Sequence, residues 1–267
     1  MEKKEEKTKK QLVLQERKQY FFVIRELTSR EIKRKYARSY LGILWSVLNP
    51  LLTMVVMTLV FSTMFHRDIT TFPIYYLTGS IIWTLFSTAT NSAMNALVDN
   101  RTLLLRVKFP KQVFVLARTY TALVNFLYTC IAYVLMLIVF QIKPSLAMLC
   151  FPIVVGLVLL FSLGIGYMLS IAYVFFADIK YLYSVLLTLL MYISALFYPV
   201  TSLSPMMQKV VEMNPIYIAI AILRDCVMNG IISSLDMWVK LIAWSLGCFS
   251  AGYGIFKAKE NKVMTKM

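Results

Sequence analysis

Apolar runs without charged residues alternate with short charged breaks along most of this chain. About twenty apolar residues in an α-helix cross the hydrocarbon core of a bilayer, so each long run predicts a transmembrane helix. Six spans are predicted, at residues 39–65, 72–98, 113–142, 145–177, 182–200 and 241–256, with Arg118 as the only charge inside the third. The pattern therefore predicts an all-α integral membrane protein whose transmembrane domain occupies residues 39–256.

Residues 199–230 interrupt this pattern between the fifth and sixth spans with prolines and charged residues. Ser-Pro at 204–205 and Asn-Pro at 214–215 each place a capping side chain before a proline at the first helical position. Asn-Gly at 229–230 is a helix stop signal. We expect two short helices here, forming a re-entrant or interfacial hairpin near the outer surface rather than a seventh span.

The first span contains an Asn-Pro pair at 49–50. Pro50 has no N–H group, so the carbonyl of Ser46 loses its helical partner and the proline ring crowds the preceding turn. We expect a kink at this point, with the Asn49 amide able to bond nearby groups. Such a kink would direct the second half of the span toward a channel.

Composition supports the membrane class, since 59% of the residues are hydrophobic and only 15% are charged. About a quarter of the residues in a soluble domain are charged. The net charge of +15 is compatible with nucleic-acid binding, but that function requires a basic face on a soluble fold. We therefore expect no nucleic-acid partner.

The distribution of positive charge predicts the orientation in the membrane. Most Lys and Arg residues lie before residue 41, in the break 99–112 and after residue 256. Six spans place both ends on one side, and the positive-inside rule makes that side the cytosol. A seventh span at 215–230 would export the lysine-rich C-terminal tail, residues 257–267, against that rule.

Residues 1–38 form a cytosolic segment in which residues 1–11 are expected to be a disordered, solvated tail. The following stretch predicts an amphipathic helix in the membrane interface, since charged residues surround one apolar stripe. The stripe consists of Tyr20, Val23, Ile24, Leu27, Ile32, Tyr36 and Tyr40. This helix is either a topology anchor alone or an anchor that also contacts lipid headgroups or a cytosolic partner.

The cytosolic break 99–112 predicts a short helix. Three successive leucines at 103–105 are too apolar for a free loop and too few for a span. Asp99 or Asn100 can cap the helix, and Pro110 ends it. A short helix that is apolar on one side and basic on the other suits docking into a groove on another protein. The alternative is a loop helix that lies on its own membrane.

Several kinds of chemistry are not supported. No glycine is followed directly by lysine, so the phosphate-binding loop of an ATPase is missing and no catalytic residue is expected. The four cysteines have no metal-like spacing and there is a single histidine, so we expect no metal site. The spans contain no paired carboxylates that would mark a proton pathway.

Aromatic residues make up 14% of the chain. Their faces offer sugar rings an apolar contact without charge, and many weak contacts suit a polymer that slides. For each residue the alternative is packing against lipid or the core. The candidates for a path are Trp45, Phe61, Phe65, Trp83, Phe86, Tyr192, Phe197 and Tyr198.

Four blocks of the sequence resemble one known family. They are "SREIKRKYARSYLGILWSVLNPLL", "NRTLLLRVKFPKQ", "FFADIKYLYSVLLTLLMYISALFYPV" and "MNPIYIAI", in that order across residues 29–220. The blocks are similar to membrane subunits of type-2 ABC exporters of cell-surface polysaccharides, which include O-antigen, teichoic acid and capsule exporters. The first and third blocks are fairly specific for this polysaccharide branch, and the second is shared with other type-2 ABC permeases.

The resemblance implies a homodimer with two copies of a separate P-loop ABC ATPase, which would supply ATP and Mg while this chain binds no cofactor. Spans one and five would line the translocation path, and residues 199–230 would lie near the exit. Residues 20–38 would form the interface helix. The coupling helix would dock into the ATPase through Asn100, Arg101, Leu103, Leu104, Arg106, Lys108 and Phe109.

The resemblance further implies a lipid-linked glycan that crosses the bacterial cytoplasmic membrane. Its anionic carrier, an undecaprenyl diphosphate or similar, would enter from the inner leaflet beside the basic helix. The cations available there are Arg30, Lys33, Arg34, Lys35 and Arg38.

Three other functions remain open at this point. A type-2 ABC exporter of a small drug or peptide would share the cytosolic helices but lack a wide aromatic path. A membrane-embedded transferase needs a base or metal-binding carboxylates in one constellation, and Asp68, Asp99 and Asp178 are far apart in sequence. A secondary transporter would show internal repeats with helices broken at matching places.

Overall fold

The computed structural model describes residues 2–37, 39–65, 71–106 and 110–266. The helices are α1 (Glu2–Tyr36), α2 (Trp45–Phe65), α3 (Phe72–Asp99), α4 (Arg101–Arg106), α5 (Gln112–Val139), α6 (Phe151–Phe175), α7 (Ile179–Ile193), α8 (Pro205–Glu212), α9 (Pro215–Arg224) and α10 (Leu235–Lys266). These residues include no β-strand, which confirms the all-α prediction.

Four helical segments are long and apolar enough to cross a membrane: Gly42–Phe61, Gln112–Val139, Leu146–Phe175 and Leu235–Val263. They correspond to the predicted first, third, fourth and sixth spans, so the chain is a multi-pass membrane protein. The segment Ile179–Ile193 is apolar but shorter. The count of six spans stays a prediction, because it also requires α3 and α7 to cross.

Helix α3 is the centre of the bundle, where α2, α5, α6 and α9 pack around it. Its buried hydroxyls bond within the protein: Thr78 donates to the carbonyl of Ile74 at 2.7 Å and Thr90 to that of Phe86 at 2.8 Å. A polar group inside a membrane must find such partners, because the hydrocarbon offers none. Enclosure by other helices therefore allows α3 to be less apolar than a lipid-facing span.

The bundle has a basic end, where α1, α4 and the last turns of α10 meet, and an opposite end that carries α8 and α9. At the basic end Leu27, Leu104, Phe114, Phe256 and Val263 share one hydrophobic cluster. The cluster shows that α4 and α10 pack on the same side of the bundle as α1, as expected from their shared positive charge.

Both ends of the chain differ from the prediction. Helix α1 begins at Glu2, where a disordered tail was expected. Glu, Lys and Gln dominate its first turns and favour helix strongly. Helix α10 continues to Lys266, past Phe256, where the sixth span was expected to end and a cytosolic tail to begin. The reason is tertiary, since Val263 is fully buried in the cluster at the basic end.

The predicted fifth span, residues 182–200, is shorter as a helix because α7 ends at Ile193. Ala195 then adopts a left-handed backbone with φ of +47°. The carbonyls of Ala195 and Leu196 accept bonds from the Arg224 guanidinium at 3.1 and 3.2 Å. An arginine from another helix thus satisfies groups that a longer α7 would have used internally.

Two short helices follow, as predicted for residues 199–230. The side chain of Asn214 caps α9 by accepting the N–H of Ile216 at 3.0 Å, and Gly230 ends the following π-helical turn with φ of +67°. Ser204 makes no such bond at the start of α8, so that predicted cap is wrong. Helix α2 contains Pro50 and starts at Trp45 rather than at residue 39, and the kink expected at Pro50 stays a prediction.

Candidate functional site

A groove with a volume of about 420 Å³ lies between α2, α3 and α5, and the last turn of α1 closes it at the basic end. We call it the polar groove. Its hydroxyl and amide lining consists of Ser46, Asn49 and Thr53 on α2, Ser80, Thr84 and Thr88 on α3, and Asn125 and Thr129 on α5. Trp45, Tyr76 and Phe126 add aromatic faces.

Helical periodicity explains why these side chains meet. Tyr76, Ser80, Thr84 and Thr88 are spaced by four residues on α3, so they form one row along a single face. Residues 46, 49 and 53 on α2 are spaced by three and four, and residues 125 and 129 on α5 by four, so each set also lies on one helix face. Hydroxyls and amides inside a membrane face protein or a water-filled cavity rather than lipid. Three such stripes therefore face one another across the polar groove.

The basic end of the polar groove carries its one lining cation among the described residues, Lys35. The ammonium of Lys35 donates to Oδ1 of Asn125 at 3.1 Å and lies 5.2 Å from the centre of the Tyr36 ring. The Tyr36 hydroxyl is 2.5 Å from Oγ of Ser46. This end can therefore bind an anionic group, while the rest of the groove is neutral.

The chemistry of the lining suits a polyhydroxylated ligand. Hydroxyls and amides both donate and accept hydrogen bonds, and the groove presents them along most of its length. Aromatic rings among them supply apolar contact for the faces of sugar rings. Among the described residues no group of three or more His, Cys, Asp or Glu could hold a metal ion, so nothing in the groove points to metal chemistry.

Five of the aromatic residues predicted to line a path lie in two places. Trp45 lines the polar groove. At the opposite end Phe197 stacks on Phe61 with ring centres 5.3 Å apart and lies 6.4 Å from the ring of Tyr192, which is 57% exposed on α7. Tyr198 belongs to the same end, where its carbonyl accepts a bond from the Tyr75 hydroxyl. The ring of Tyr76, which lines the groove, stacks on Phe197 at 5.8 Å and so connects the two places.

The rings of Trp83 and Phe86 are tilted by 50° with centres 5.9 Å apart, and Phe86 is 1% exposed and packs against Phe161 of α6. Phe86 is therefore a core ring in this subunit and does not line the polar groove. The side chain of Phe65 lies outside the described residues.

Helix α1 packs against protein through part of the surface that was expected to face lipid. Leu27 and Thr28 are buried against α5, and the Thr121 hydroxyl donates to that of Thr28 at 3.1 Å. Of the five predicted cations, Lys33 and Arg34 are exposed, while Lys35 is in the groove. Arg30 donates to Oδ1 of Asn100 at 2.7 Å, and Arg38 lies outside the described residues.

The short helix predicted in the break 99–112 is present as α4, and its coupling role stays a prediction. Leu104 is 4% exposed and faces the cluster at the basic end, whereas Leu105 is 54% exposed beside Arg106. Asn100 does not cap α4 with its side chain, since its Nδ2 donates to the carbonyl of Ala96 at 2.8 Å. Arg101 is exposed and Leu103 half-buried, and Lys108 and Phe109 lie outside the described residues.

Sequence reasoning missed the polar groove because it searched the spans for charges and aromatic rings. The available signal was the row of hydroxyls at steps of four in the second predicted span. In the sequence alone, such a row is equally typical of a buried contact between helices. Only the positions of α2 and α5 show that it faces a groove.

Comparison with known proteins adds a family to this geometry. The family described as "ABC-2 type transporter" matches residues 23–228, from the middle of α1 to the end of the outer helices. The chain is 28% identical over 246 residues to the O-antigen export system permease protein RfbA of Myxococcus xanthus, covering 91% of this chain and 95% of that protein.

Two further relatives have related names. RfbA of Klebsiella pneumoniae is 26% identical over 205 residues, which are 76% of this chain and 79% of that protein. The polysialic acid transport protein KpsM of Escherichia coli is 25% identical over 247 residues, 91% and 95% of the two chains. The family match spans most of the chain, including α4 and all three walls of the polar groove. The chain therefore belongs to the ABC-2 type transporter family, whose members are membrane permeases without an ATPase domain.

Proposed function

We propose that this chain is the membrane subunit of an ATP-driven exporter that moves a lipid-linked polysaccharide across the bacterial cytoplasmic membrane, with both termini in the cytosol. The observation that carries the proposal is the polar groove, a hydroxyl-lined and amide-lined path with aromatic faces inside apolar helices. The names of the relatives, O-antigen export permease and polysialic acid transport protein, support a glycan as the cargo. Teichoic acid belongs to the same class of cargo.

The groove would act by many weak contacts. A neutral lining of hydroxyls binds each sugar unit weakly, so a polymer can advance without a deep energy minimum. Lys35, the one lining cation in the part of the chain that the structure describes, lies where a lipid carrier would enter from the inner leaflet. Its charge complements the diphosphate of such a carrier, and Arg34 and Lys33 add positive potential nearby.

The proposed assembly contains a second copy of this chain. Helix α7 buries only Tyr183 within its own subunit, and α2 leaves Leu52, Val55 and Val56 exposed. The resemblance of the sequence assigns the path to these two helices. A homodimer that joins them would give the glycan a channel walled by two copies of the polar groove.

The energy source is a partner subunit, since an ABC permease pairs with an ABC ATPase that binds ATP and Mg. We assign its docking site to the exposed face of α4, formed by Arg101, Leu105 and Arg106. Leu104 contributes indirectly, because its burial holds α4 against α1 and α5.

Filling the polar groove should stop export. Thr84 is exposed in the groove, so Thr84→Trp would place a large ring across the path. We expect export of surface polysaccharide to fall roughly tenfold or more, equivalent to about 1.4 kcal/mol in activation free energy, with ATPase binding retained. The measurement is surface polysaccharide by immunoblot or lectin binding, at matched membrane levels of the protein.

Leu127→Trp is the matched control, since Leu127 is 55% exposed on α5 and lies outside the groove lining. It should export normally. Normal export by Thr84→Trp would refute the groove as the glycan path, whereas export of a small molecule instead of a polysaccharide would indicate another branch of the family.

Changing the exposed face of α4 should separate the two subunits. In Leu105→Asp a charge replaces the exposed leucine, and we expect the affinity for the ATPase to fall about thirtyfold, near 2 kcal/mol. The measurement is the ratio of ATPase to permease after co-purification. Met206→Asp on α8, at the opposite end and 79% exposed, is the control. An unchanged ratio in Leu105→Asp would contradict docking at α4.

A further inference from the structure

A cluster of charged side chains joins three helices at the basic end. Arg118 on α5 donates from Nη1 to Oε2 of Glu31 on α1 and from Nη2 to Oδ2 of Asp99, each at 2.7 Å. The side chains of Arg118 and Glu31 are only 14% and 18% exposed. Arg30 strengthens the junction by donating to Asn100 at 2.7 Å. One guanidinium thus holds α1 and the end of α3 against α5.

The position of Asp99 connects this cluster to α4. Asp99 is the last residue of α3, and α4 begins after the single residue Asn100. The N–H groups of Leu103 and Leu104 both donate to the Asn100 carbonyl, at 3.0 and 2.9 Å. The start of α4 is therefore tied through Asn100 and Asp99 to the Arg118 guanidinium, and any displacement of α4 acts on that group.

The other side of the cluster leads to the polar groove. Glu31 and Lys35 are four residues apart on one face of α1, and Lys35 reaches Asn125 of the groove at 3.1 Å. Arg118 and Asn125 are separated by about 10 Å along α5, two helical turns on nearly the same face. Two rigid helix segments thus run from the charged cluster to the entrance of the groove.

The charges make this contact sensitive to distance. Both carboxylates face the Arg118 guanidinium, and each bond is charge-assisted. The bond to Glu31 is partly shielded from water, whereas Asp99 is 47% exposed. Without the Arg118 guanidinium, Asp99 would lose its bond to α5 and Glu31 would keep only the longer pair with Arg30 on its own helix, at 3.7 Å. The cluster therefore holds α1, α5 and the α3–α4 junction together only while all three keep their present arrangement.

We propose that Arg118 is a positioning residue that transmits displacement of α4 to the polar groove, by holding α1, α5 and the α3–α4 junction as one unit. This inference rests on the proposed function, in which a partner ATPase moves α4. Arg118 does not touch the cargo in this assignment. Its role is to make the entrance formed by Lys35, Tyr36 and Asn125 move with α4.

The test uses the full chain in complex with its ATPase and reports on the groove directly. Thr84→Cys is introduced after the four native cysteines are replaced by alanine. The rate at which a soluble maleimide labels residue 84 is measured with and without a non-hydrolysable ATP analogue. With Arg118 present, the nucleotide should change the rate, roughly threefold or more for a groove that opens or closes.

With Arg118→Gln the nucleotide-dependent change should disappear while the ATPase stays bound and active. Arg118→Lys should restore part of it, because lysine keeps the charge but not the two-pronged geometry. Lys259→Gln removes an exposed charge from α10 at the same end and is the control. A full nucleotide response in Arg118→Gln overturns the proposal.

Glu31→Gln is the second variant, for the case that Arg118→Gln does not accumulate in the membrane. It removes the ion pair between Arg118 and Glu31 of α1 and leaves the Arg118–Asp99 pair in place. It should also lose the nucleotide response with an intact complex. Failure of both variants to accumulate would assign the cluster a structural role and overturn the proposal. A parent complex that responds to nucleotide but exports no polysaccharide would instead refute the proposed function and leave this coupling standing.

Discussion

Replacing Arg224 with methionine should destabilise this protein more than any other single change at the opposite end of the bundle. Arg224 is 8% exposed, its guanidinium lies 3.4 Å from the centre of the Tyr75 ring, and its Nη atoms donate to the carbonyls of Ala195 and Leu196. Methionine fills similar space but donates nothing. Each buried carbonyl left without a partner costs about 1–3 kcal/mol, so we expect a loss of about 3 kcal/mol or more.

The measurement is the unfolding temperature in detergent, followed by fluorescence-detected size exclusion after heating. Lys209→Met on the exposed face of α8 is the matched control and should change little. The unfolding temperature of Arg224→Lys should lie between those of Arg224→Met and Lys209→Met. An ammonium keeps the charge over Tyr75 but cannot reach both carbonyls in the same fixed geometry. An unfolding temperature equal to that of the parent in Arg224→Met would show that the end of α7 does not depend on Arg224.

Adding one methyl group at Gly252 should separate α6 from α10. A Cβ atom at this position would overlap the backbone carbonyl of Gly164 on α6, and one at Gly164 would overlap the carbonyl of Cys248. Backbone atoms cannot rotate away as side chains can, so the helices must move apart. Small residues allow this approach in membrane proteins, where close packing drives helix association. We expect Gly252→Ala to lose about 2–3 kcal/mol, at the upper range of overpacking in a core.

Gly254→Ala is the matched control, because nothing lies within 4 Å of an added Cβ two residues further along the same helix. It should be neutral or slightly stabilising, since alanine favours helix over glycine. Equal unfolding temperatures for the two variants would show that α6 and α10 are not in backbone contact at this crossing. Loss of the crossing should also disturb the basic end, because Phe256 and Val263 reach the cluster there from the same helix.

Local signals in the sequence were reliable wherever the physical cause was local. The apolar runs identified the four helical segments that are long and apolar enough to cross a membrane, because transfer of an apolar stretch into hydrocarbon depends on that stretch alone. The Asn214 cap and the stop at Gly230 were correct for the same reason, as each involves backbone groups within a few residues. The short helix α4 was also predicted, although Leu104 faces inward and the exposed leucine is Leu105.

Signals failed where a distant residue changed the outcome. The early end of α7 depends on Arg224, which is separated from Ala195 by 29 positions in the chain. The continuation of α10 past Phe256 depends on burial of Val263 among residues of α1, α4 and α5. Hydropathy places Phe86 equally well in a path or in a core, and only its contact with Phe161 decides for the core.

The sequence by itself determined that this protein is an all-helical membrane protein with a short basic helix between two long helices, because apolar length and charge distribution act segment by segment. The sequence also contains the hydroxyl row of α3 and the asparagines of α2 and α5, but it does not show which surface these side chains face. Only the tertiary structure decided that those three stripes face one another across a groove, and that Arg118 links α4 to its entrance. The physical reason is that a path and a coupling contact are relations between helices, and their relative rotation is set by packing contacts such as the Gly164–Gly252 crossing.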